Sequence, residues 1–292
     1  YRLDHPDVAV PMGRDEDAGG EWTWPQESVT IHTIRLVAMA LNEEYQTRVR
    51  DVVGQYGGDL ASPSAKGDAR VRAKCRAADD YGSATPPRPA KCLDILRNAA
   101  TFDAAAQLRA AAIALCEDFG GACKIKNKFA DSFEAAARAG HFRALNLTVL
   151  MDAGCTYGEL AAREDVRVMW DRYLEAPPEN PEEPWACGWR ADATRAVAAL
   201  RGEAVRARPV RFLCESQFIL RPYLEVRQQT HLLYEVARAA NDVKLLEQFT
   251  PPEEWPEGAT FEGERQRALE KARGVVKNKG DVGWALQVAS GG

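Results

Sequence analysis

Two acidic residues in this sequence lie in apolar runs where a carboxylate needs a partner. Asp94 lies in CLDILRNAATF and Glu215 in RFLCESQFI, where Gln217 shares the face of Glu215 because strand side chains alternate with period two. A carboxylate beside apolar neighbours is costly unless it is paired, hydrogen-bonded or bound to a metal. Two such acids on neighbouring strands could hold Mg²⁺, which favours a few carboxylate oxygens together with substrate phosphates.

Basic residues in the same region of the chain could neutralise those phosphates. Three of them recur at four-residue intervals and so share one face of a helix predicted over about 65–80: Lys66, Arg70 and Lys74. Lys124 and Lys126 alternate along the predicted strand ACKIKNKF. Each feature alone is typical of a solvated surface. Together with the acids they indicate a site for magnesium and a polyphosphate, since phosphoryl transfer needs mainly positioning and charge neutralisation.

The elements that would position these residues are a mixture of helices and strands. Apolar residues at helical spacing predict a helix over about 34–53, and an alanine-rich helix follows Asp103, which is expected to cap it. Four strands are predicted, in KCLDILRNAATF, ACKIKNKF, HFRALNLTVLM and RFLCESQFI, and Pro222 begins a helix that runs to about Ala240. Strands three and four are not joined by a simple crossover, so the sheet cannot consist of βαβ units alone. The sequence therefore predicts an α+β fold with a small mixed β-sheet flanked by helices.

The chain divides into three predicted segments around this sheet. Residues 1–33 form an irregular N-terminal segment, 34–250 the main domain with its helical N-terminal extension, and 251–292 a polar tail. A long insertion, 152–208, separates the third and fourth strands and contains the acidic, proline-rich EAPPENPEEP and a helix at 189–205. Insertions of that size usually form lids, partner surfaces or decoration.

Composition limits the classes of function. The 292 residues are 46% hydrophobic with a net charge of −5, which is typical of a soluble protein and argues against general nucleic-acid binding. No uninterrupted run of apolar residues approaches the length needed to span a membrane. Seven cysteines form no CxxC pair and four histidines form no HExxH, so we expect core thiols in a reducing compartment, the cytoplasm or an organelle stroma, rather than a zinc site. Because the chain begins at Tyr1, we expect it to be an excised or processed piece.

Five segments carry a resemblance to a known family, by their order more than by any one motif. They are KGDARVRAKCRAADDYG, CLDILRNAATFD, KIKNKF, HFRALNLTV and CESQFILRPYLEVRQQTHLLYE. From about Lys66 to Ala240 the chain resembles the synthetase domain of the RelA/SpoT family, which makes guanosine tetra- and pentaphosphate. The resemblance implies a nucleotidyltransferase-like fold and magnesium-dependent transfer of pyrophosphate from ATP to the 3′-hydroxyl of GDP or GTP.

The resemblance also implies roles for individual residues. Asp94 would ligate the metal, and Glu215 would assist it or take the proton from the acceptor hydroxyl. The nucleotide-binding residues would be Lys66, Arg70, Lys74, Lys124, Lys126, Phe142, Arg143, Gln217 and His231. The chain departs from the family pattern at four positions: Lys124 replaces Arg, Asn127 replaces Asp, His141 replaces Gly and Phe142 replaces Tyr.

Two functions remain open from the sequence. One is an active pyrophosphate transferase, favoured by the retained acid pair. The other is a catalytically inactive relative that serves as a nucleotide sensor or a protein-interaction module, favoured by His141, Asn127 and the insertion. Neither alternative fixes the acceptor base or the oligomeric state.

Overall fold

The computed structural model of the chain describes residues 24–77, 80–132 and 143–225. The chain forms two compact units. Among the described residues, the first unit comprises 24–77, 80–129 and 144–220, and the second comprises 130–132, 143 and 221–225. Residues 221–225, which begin the helix predicted from Pro222, are helical. The rest of that helix, the tail 251–292 and residues 1–23 lie outside the described residues.

The first unit is built on a five-stranded mixed sheet. Its strands are β1 (Asp59–Ala61), β2 (Leu96–Phe102), β3 (Ala122–Asn127), β4 (Leu145–Thr156) and β5 (Pro209–Leu220). They lie in the order β1-β2-β5-β4-β3, with β2 and β5 parallel and the other neighbours antiparallel. Since helices flank this sheet, the predicted α+β class with a mixed sheet is confirmed. The three residues of β1 gave no strand pattern long enough to be predicted.

Seven α-helices are described in the first unit. They are α1 (Trp24–Gln55), α2 (Asp68–Arg76), α3 (Ala105–Asp118), α4 (Tyr157–Ala162), α5 (Glu164–Glu175), α6 (Trp189–Arg201) and α7 (Glu203–Arg206), and two 3₁₀ helices span Arg88–Lys91 and Pro184–Gly188. None of the described helices is both long and apolar enough to cross a membrane. All seven cysteines carry free thiols.

Helix α1 covers one face of the sheet. The Tyr45 hydroxyl and the Ser216 hydroxyl lie 2.8 Å apart, and the Asn98 amide donates to Gln46 Oε1 at 3.3 Å. Both contacts join α1 to residues on the same face of β2 and β5. Below them the rings of Phe102 and Phe218 stack, with centroids 5.6 Å apart. The core of the unit therefore lies between α1 and this face, and the opposite face of the sheet carries the alternate residues.

Two boundaries differ from the predictions, each for a local reason. Helix α1 begins at Trp24 rather than near residue 34. Four of the five residues 29–33 are β-branched and have low helix propensity, but all five residues are buried, and burial outweighs propensity. Asp103 does not cap α3. The N-cap is Ala104, whose N–H donates to Gln107 Oε1 at 3.1 Å.

The predicted insertion belongs to the helical layer rather than to a separate lobe. Its first residues, 152–156, continue β4, and the remainder forms α4, α5, α6 and α7. Helix α6 packs along α1, and Trp170 of α5 donates to the carbonyl of Leu36 in α1 at 3.1 Å. The insertion thus completes the core around α1.

Candidate functional site

Strand pairing places polar residues in two adjacent rows across the face of the sheet that α1 does not cover. The first row, read from β2 to β3, is Arg97, Glu215, Thr148 and Lys124. The second row is Ala99, Gln217, Asn146 and Lys126. Paired residues on neighbouring strands point to the same side of a sheet. The structure therefore brings together two pairs of residues that were predicted on separate strands: Lys124 with Lys126, and Glu215 with Gln217.

Glu215 lies half-buried in the first row and is held by two side-chain amides. Asn146 Nδ2 donates to Oε1 at 3.2 Å, and Gln217 Nε2 donates to Oε2 at 3.1 Å. These bonds meet the need for a partner that the apolar surroundings of Glu215 impose. Both donors are neutral amides, and together they fix the orientation of the carboxylate.

Asp94 lies at the centre of a second cluster, in the turn that precedes β2 rather than on the strand as predicted. Its Oδ2 atom accepts hydrogen bonds from Lys66 Nζ and from Lys74 Nζ, the latter at 3.0 Å. Arg97 Nη1 lies 3.9 Å from the same oxygen, and Asp80 Oδ1 lies 3.9 Å from Lys74 Nζ. Three cations face two carboxylates, so the cluster is net positive at neutral pH.

The charges in this cluster perturb one another's pKa values. Burial acts to raise the pKa of Asp94, but Lys66 and Lys74 outweigh it and lower that pKa to about 2. Burial also lowers the pKa of Lys66 to about 8, against the opposing effect of Asp94. For Lys74 burial is also the largest single effect and acts to lower the pKa, but the charge and hydrogen bond of Asp94, together with Asp80, outweigh it and the pKa is raised. The two lysines shift in opposite directions because Lys66 also faces the positive charges of Lys74 and Arg97, whereas Lys74 also faces Asp80 and Tyr81.

The backbone around Lys66 fixes its position. Lys66 lies just before α2, which begins at Asp68, so it does not share a helical face with Arg70 and Lys74 as predicted. Instead its N–H donates to the carbonyl of Ile95 at 2.8 Å, next to Asp94 in the chain. This bond holds the Lys66 side chain against the Asp94 turn.

Arg97 connects the two clusters, and it was not among the predicted site residues. It faces Asp94 at one end and pairs in register with Glu215 at the other. Its side chain is 40% exposed, as expected of a cation that faces an open site. Asn146 was also missed. Its alternation with Thr148 and its position across from Gln217 could have indicated it, had the pairing of β4 with β5 been known.

The remaining predicted residues divide into three groups. Arg70 is exposed on α2. Arg143 belongs to the second unit, where its Nη1 donates to the carbonyl of Asp131 at 3.0 Å. Phe142 and His231 lie outside the described residues, as does His141.

Two oxygens are available to a cation or a hydrogen-bond donor. Asp94 Oδ1 and Asn146 Oδ1 are both buried and have no hydrogen-bond partner within the described part of the chain. No group of three or more His, Cys, Asp or Glu residues suited to a metal occurs among the described residues. Asp94 Oδ1 therefore fits an ion such as Mg²⁺ only where phosphate oxygens supply most of the other ligands.

Comparisons with known proteins do not identify the chain. No family model, curated protein or solved structure matches it. The arguments for its function therefore rest on the residues of the two clusters.

Proposed function

We propose that the protein is a magnesium-dependent nucleotide pyrophosphokinase that transfers pyrophosphate from ATP to the 3′-hydroxyl of GDP or GTP. The observation that carries the proposal is the pairing of two unlike clusters along one pair of strands. A net positive cluster around Asp94 suits a triphosphate, and an oriented carboxylate, Glu215, suits a proton acceptor. Arg97 joins the two.

In this proposal the donor nucleotide binds at the Asp94 cluster. Lys66, Lys74 and Arg97 supply positive charge for the triphosphate, and the burial of Lys66 strengthens its interaction with an anion because water screens it less. Asp94 keeps the two lysines in place until the phosphates arrive. Magnesium, when bound, would neutralise phosphate oxygens, with Asp94 Oδ1 as the protein oxygen best placed to ligate it.

The acceptor nucleotide, in the same proposal, binds on the two polar rows. Its 3′-oxygen forms a bond to the β-phosphorus of ATP, the bond from that phosphorus to the α–β bridging oxygen breaks, and AMP leaves. Glu215 takes the proton of the 3′-hydroxyl, and Asn146 and Gln217 hold its carboxylate in orientation. Lys124 and Lys126, at the far end of the rows, would bind the acceptor's own phosphates.

The spacing of the two acids favours this division of roles. Asp94 lies in the turn before β2, three residues ahead of Arg97, and so stands outside the row that contains Glu215. Glu215 pairs with Arg97 rather than with the Asp94 turn. A reacting polyphosphate that extends from one acid to the other accounts for both positions, whereas a single ion shared by both carboxylates requires Asp94 to reach back along Arg97.

The experiment is to measure AMP release from ATP with GDP, with GTP and without acceptor, each with and without magnesium. We expect AMP and a 3′-pyrophosphorylated guanosine nucleotide only when both acceptor and magnesium are present. Glu215→Gln should slow the formation of this product strongly, and Asp171→Asn, an exposed change on α5, should leave its rate unchanged. Nucleotide binding without AMP release under any condition would contradict the proposal.

A second candidate, a nucleotide sensor without catalysis, is favoured by one observation. Lys66 and Lys74 already neutralise Asp94 Oδ2, so the cluster is complete without a metal. A sensor would bind ATP or a guanosine nucleotide with an affinity that does not depend on magnesium and would release no AMP. The same assay, run beside a binding titration, separates the two functions.

A further inference from the structure

The acidic segment of the insertion contacts both ends of α2. Near the first residue of the helix, the Glu179 carboxylate accepts hydrogen bonds from Asp68 N at 2.9 Å and from Ala69 N at 3.0 Å. Near the last residue, Glu183 Oε2 lies 3.9 Å from Arg76 Nη1. One short stretch, EAPPENPEEP, therefore reaches the whole length of the helix that carries Lys74.

Glu179 performs the task that an N-cap side chain usually performs. The N-cap of α2 is Gly67, which has no side chain to accept a bond from the free N–H groups of the first turn. A Cβ atom at Gly67 would lie 2.6 Å from Glu179 Oε2, so a larger residue there would displace the carboxylate. The negative charge also lies at the positive end of the helix dipole. Gly67 thus leaves the space in which the distant Glu179 caps the helix.

Arg35 extends this arrangement to the positive cluster. Its Nη2 lies 2.9 Å from Glu179 Oε1, and its Nε donates to the carbonyl of Lys66 at 3.1 Å. Its Nη1 donates to the Tyr173 hydroxyl at 3.1 Å. Glu179 is therefore linked through a buried guanidinium to the backbone of the residue whose Nζ contacts Asp94.

We propose that Glu179 is a positioning residue, which fixes α2 and with it the two lysines against Asp94. This role gives the predicted insertion a part in the site, although no residue of its acidic segment contacts Asp94 in the described part of the chain. The connection to nucleotide binding rests on the proposed function. The positioning of the lysines can be tested without it.

The experiment compares the wild type with Glu179→Ala, Glu179→Gln and a matched control, Glu182→Ala, an exposed acid of the same segment. Amide exchange at Lys66, Asp68 and Ala69 is followed by NMR, and ATP binding is measured by calorimetry. Loss of a helix cap corresponds to about a 2- to 30-fold change in an equilibrium constant. We expect Glu179→Ala to accelerate exchange at all three amides and weaken ATP binding within that range.

Exchange at the Lys66 amide distinguishes positioning from local capping. That N–H donates to the carbonyl of Ile95 beside Asp94 and lies outside α2, so a shift of Lys66 away from the Asp94 turn should accelerate its exchange in Glu179→Ala. Glu179→Gln, which keeps one acceptor oxygen, should lie between the wild type and Glu179→Ala, and Glu182→Ala should match the wild type. Unchanged exchange at the Lys66 amide in Glu179→Ala would overturn the proposal, whatever the exchange at Asp68 and Ala69.

The remaining outcomes are also decisive. If the wild type does not bind ATP, the proposed function fails, while amide exchange still decides the role of Glu179. If Glu179→Ala does not fold, Glu179→Gln takes its place. In that case wild-type exchange at the Lys66 amide in Glu179→Gln would overturn the proposal, and faster exchange would support it.

Discussion

Replacing Asp94 with Asn tests the positive cluster directly, through stability alone. The change keeps the shape of the side chain and removes its charge. Lys66, whose side chain is 2% exposed, then has no carboxylate at its Nζ, and Lys74 loses the nearer of its two acids. The folded state must hold a buried ammonium among other cations, which is costly.

The structure sets the size of the effect. Removing one partner of a buried ion pair costs about 3–5 kcal/mol in the free energy of unfolding. Because Asp94 is 16% exposed and Lys74 is 21% exposed, we expect a loss near the lower end, about 3 kcal/mol. Asp80→Asn is the matched control, since that carboxylate is 26% exposed and lies 3.9 Å from Lys74 Nζ. It should cost less than about 1 kcal/mol.

The pH dependence of the stability loss gives a second, independent test. The pKa of Lys66 in the folded protein is about 8, below its ordinary 10.5, so the cost of burying its charge is complete at pH values below 8 and is relieved as pH rises from 8 toward 10.5. Without Asp94 that pKa falls further. The difference in stability between wild type and Asp94→Asn should therefore be larger at about pH 7 than at about pH 9.

Urea unfolding of the three proteins at both pH values measures these quantities. The reasoning is refuted if Asp94→Asn and Asp80→Asn lose equal stability at about pH 7, or if the deficit of Asp94→Asn grows toward about pH 9. Either result would mean that Lys66 does not depend on Asp94 for its charge.

Four further predictions concern single residues of the chain. Glu215→Gln should slow AMP release by about 10²–10⁴, the usual contribution of a positioned base, with little change in ATP affinity; equal losses in both would mean that Glu215 only binds. ATP affinity, measured by calorimetry, should fall as pH rises through about 8 because Lys66 loses its charge; a constant affinity would exclude Lys66 from the donor site. Tyr45→Phe should lower the free energy of unfolding by about 1–3 kcal/mol, since it leaves the buried Ser216 hydroxyl unpaired, and chemical denaturation tests this. Phe142→Ala should weaken acceptor binding by about 1–3 kcal/mol if its ring stacks on the base, whereas unchanged affinity would make it a packing residue.

Periodicity predicted the features that depend on single strands. Alternation alone placed Glu215 with Gln217, and Lys124 with Lys126, because the side-chain period of a strand does not depend on its neighbours. Which strands pair is a property of the whole sheet. The joining of these pairs into two rows, with Asn146 between them, therefore appeared only in the fold.

Other contacts of the site depend on geometry that no local pattern encodes. Lys66 meets Asp94 because of a backbone bond to Ile95 in a turn, and this placed both residues outside the helix and strand predicted for them. Glu179 caps a helix from more than one hundred positions away. An acidic, proline-rich stretch has the composition of a solvated loop, and nothing in it indicates which helix its carboxylates contact.

The parallel pairing of β2 with β5 has a consequence for how the site forms. The first of these strands ends at Phe102 and the second begins at Pro209, so the central pair of the sheet cannot form until all the intervening chain has been synthesised and arranged. Contacts between such distant segments close large loops and slow folding. Asp94, Arg97 and Glu215 thus come together late. A chain cleaved before β5 would contain every residue of the positive cluster but would lack the opposing acid, Glu215.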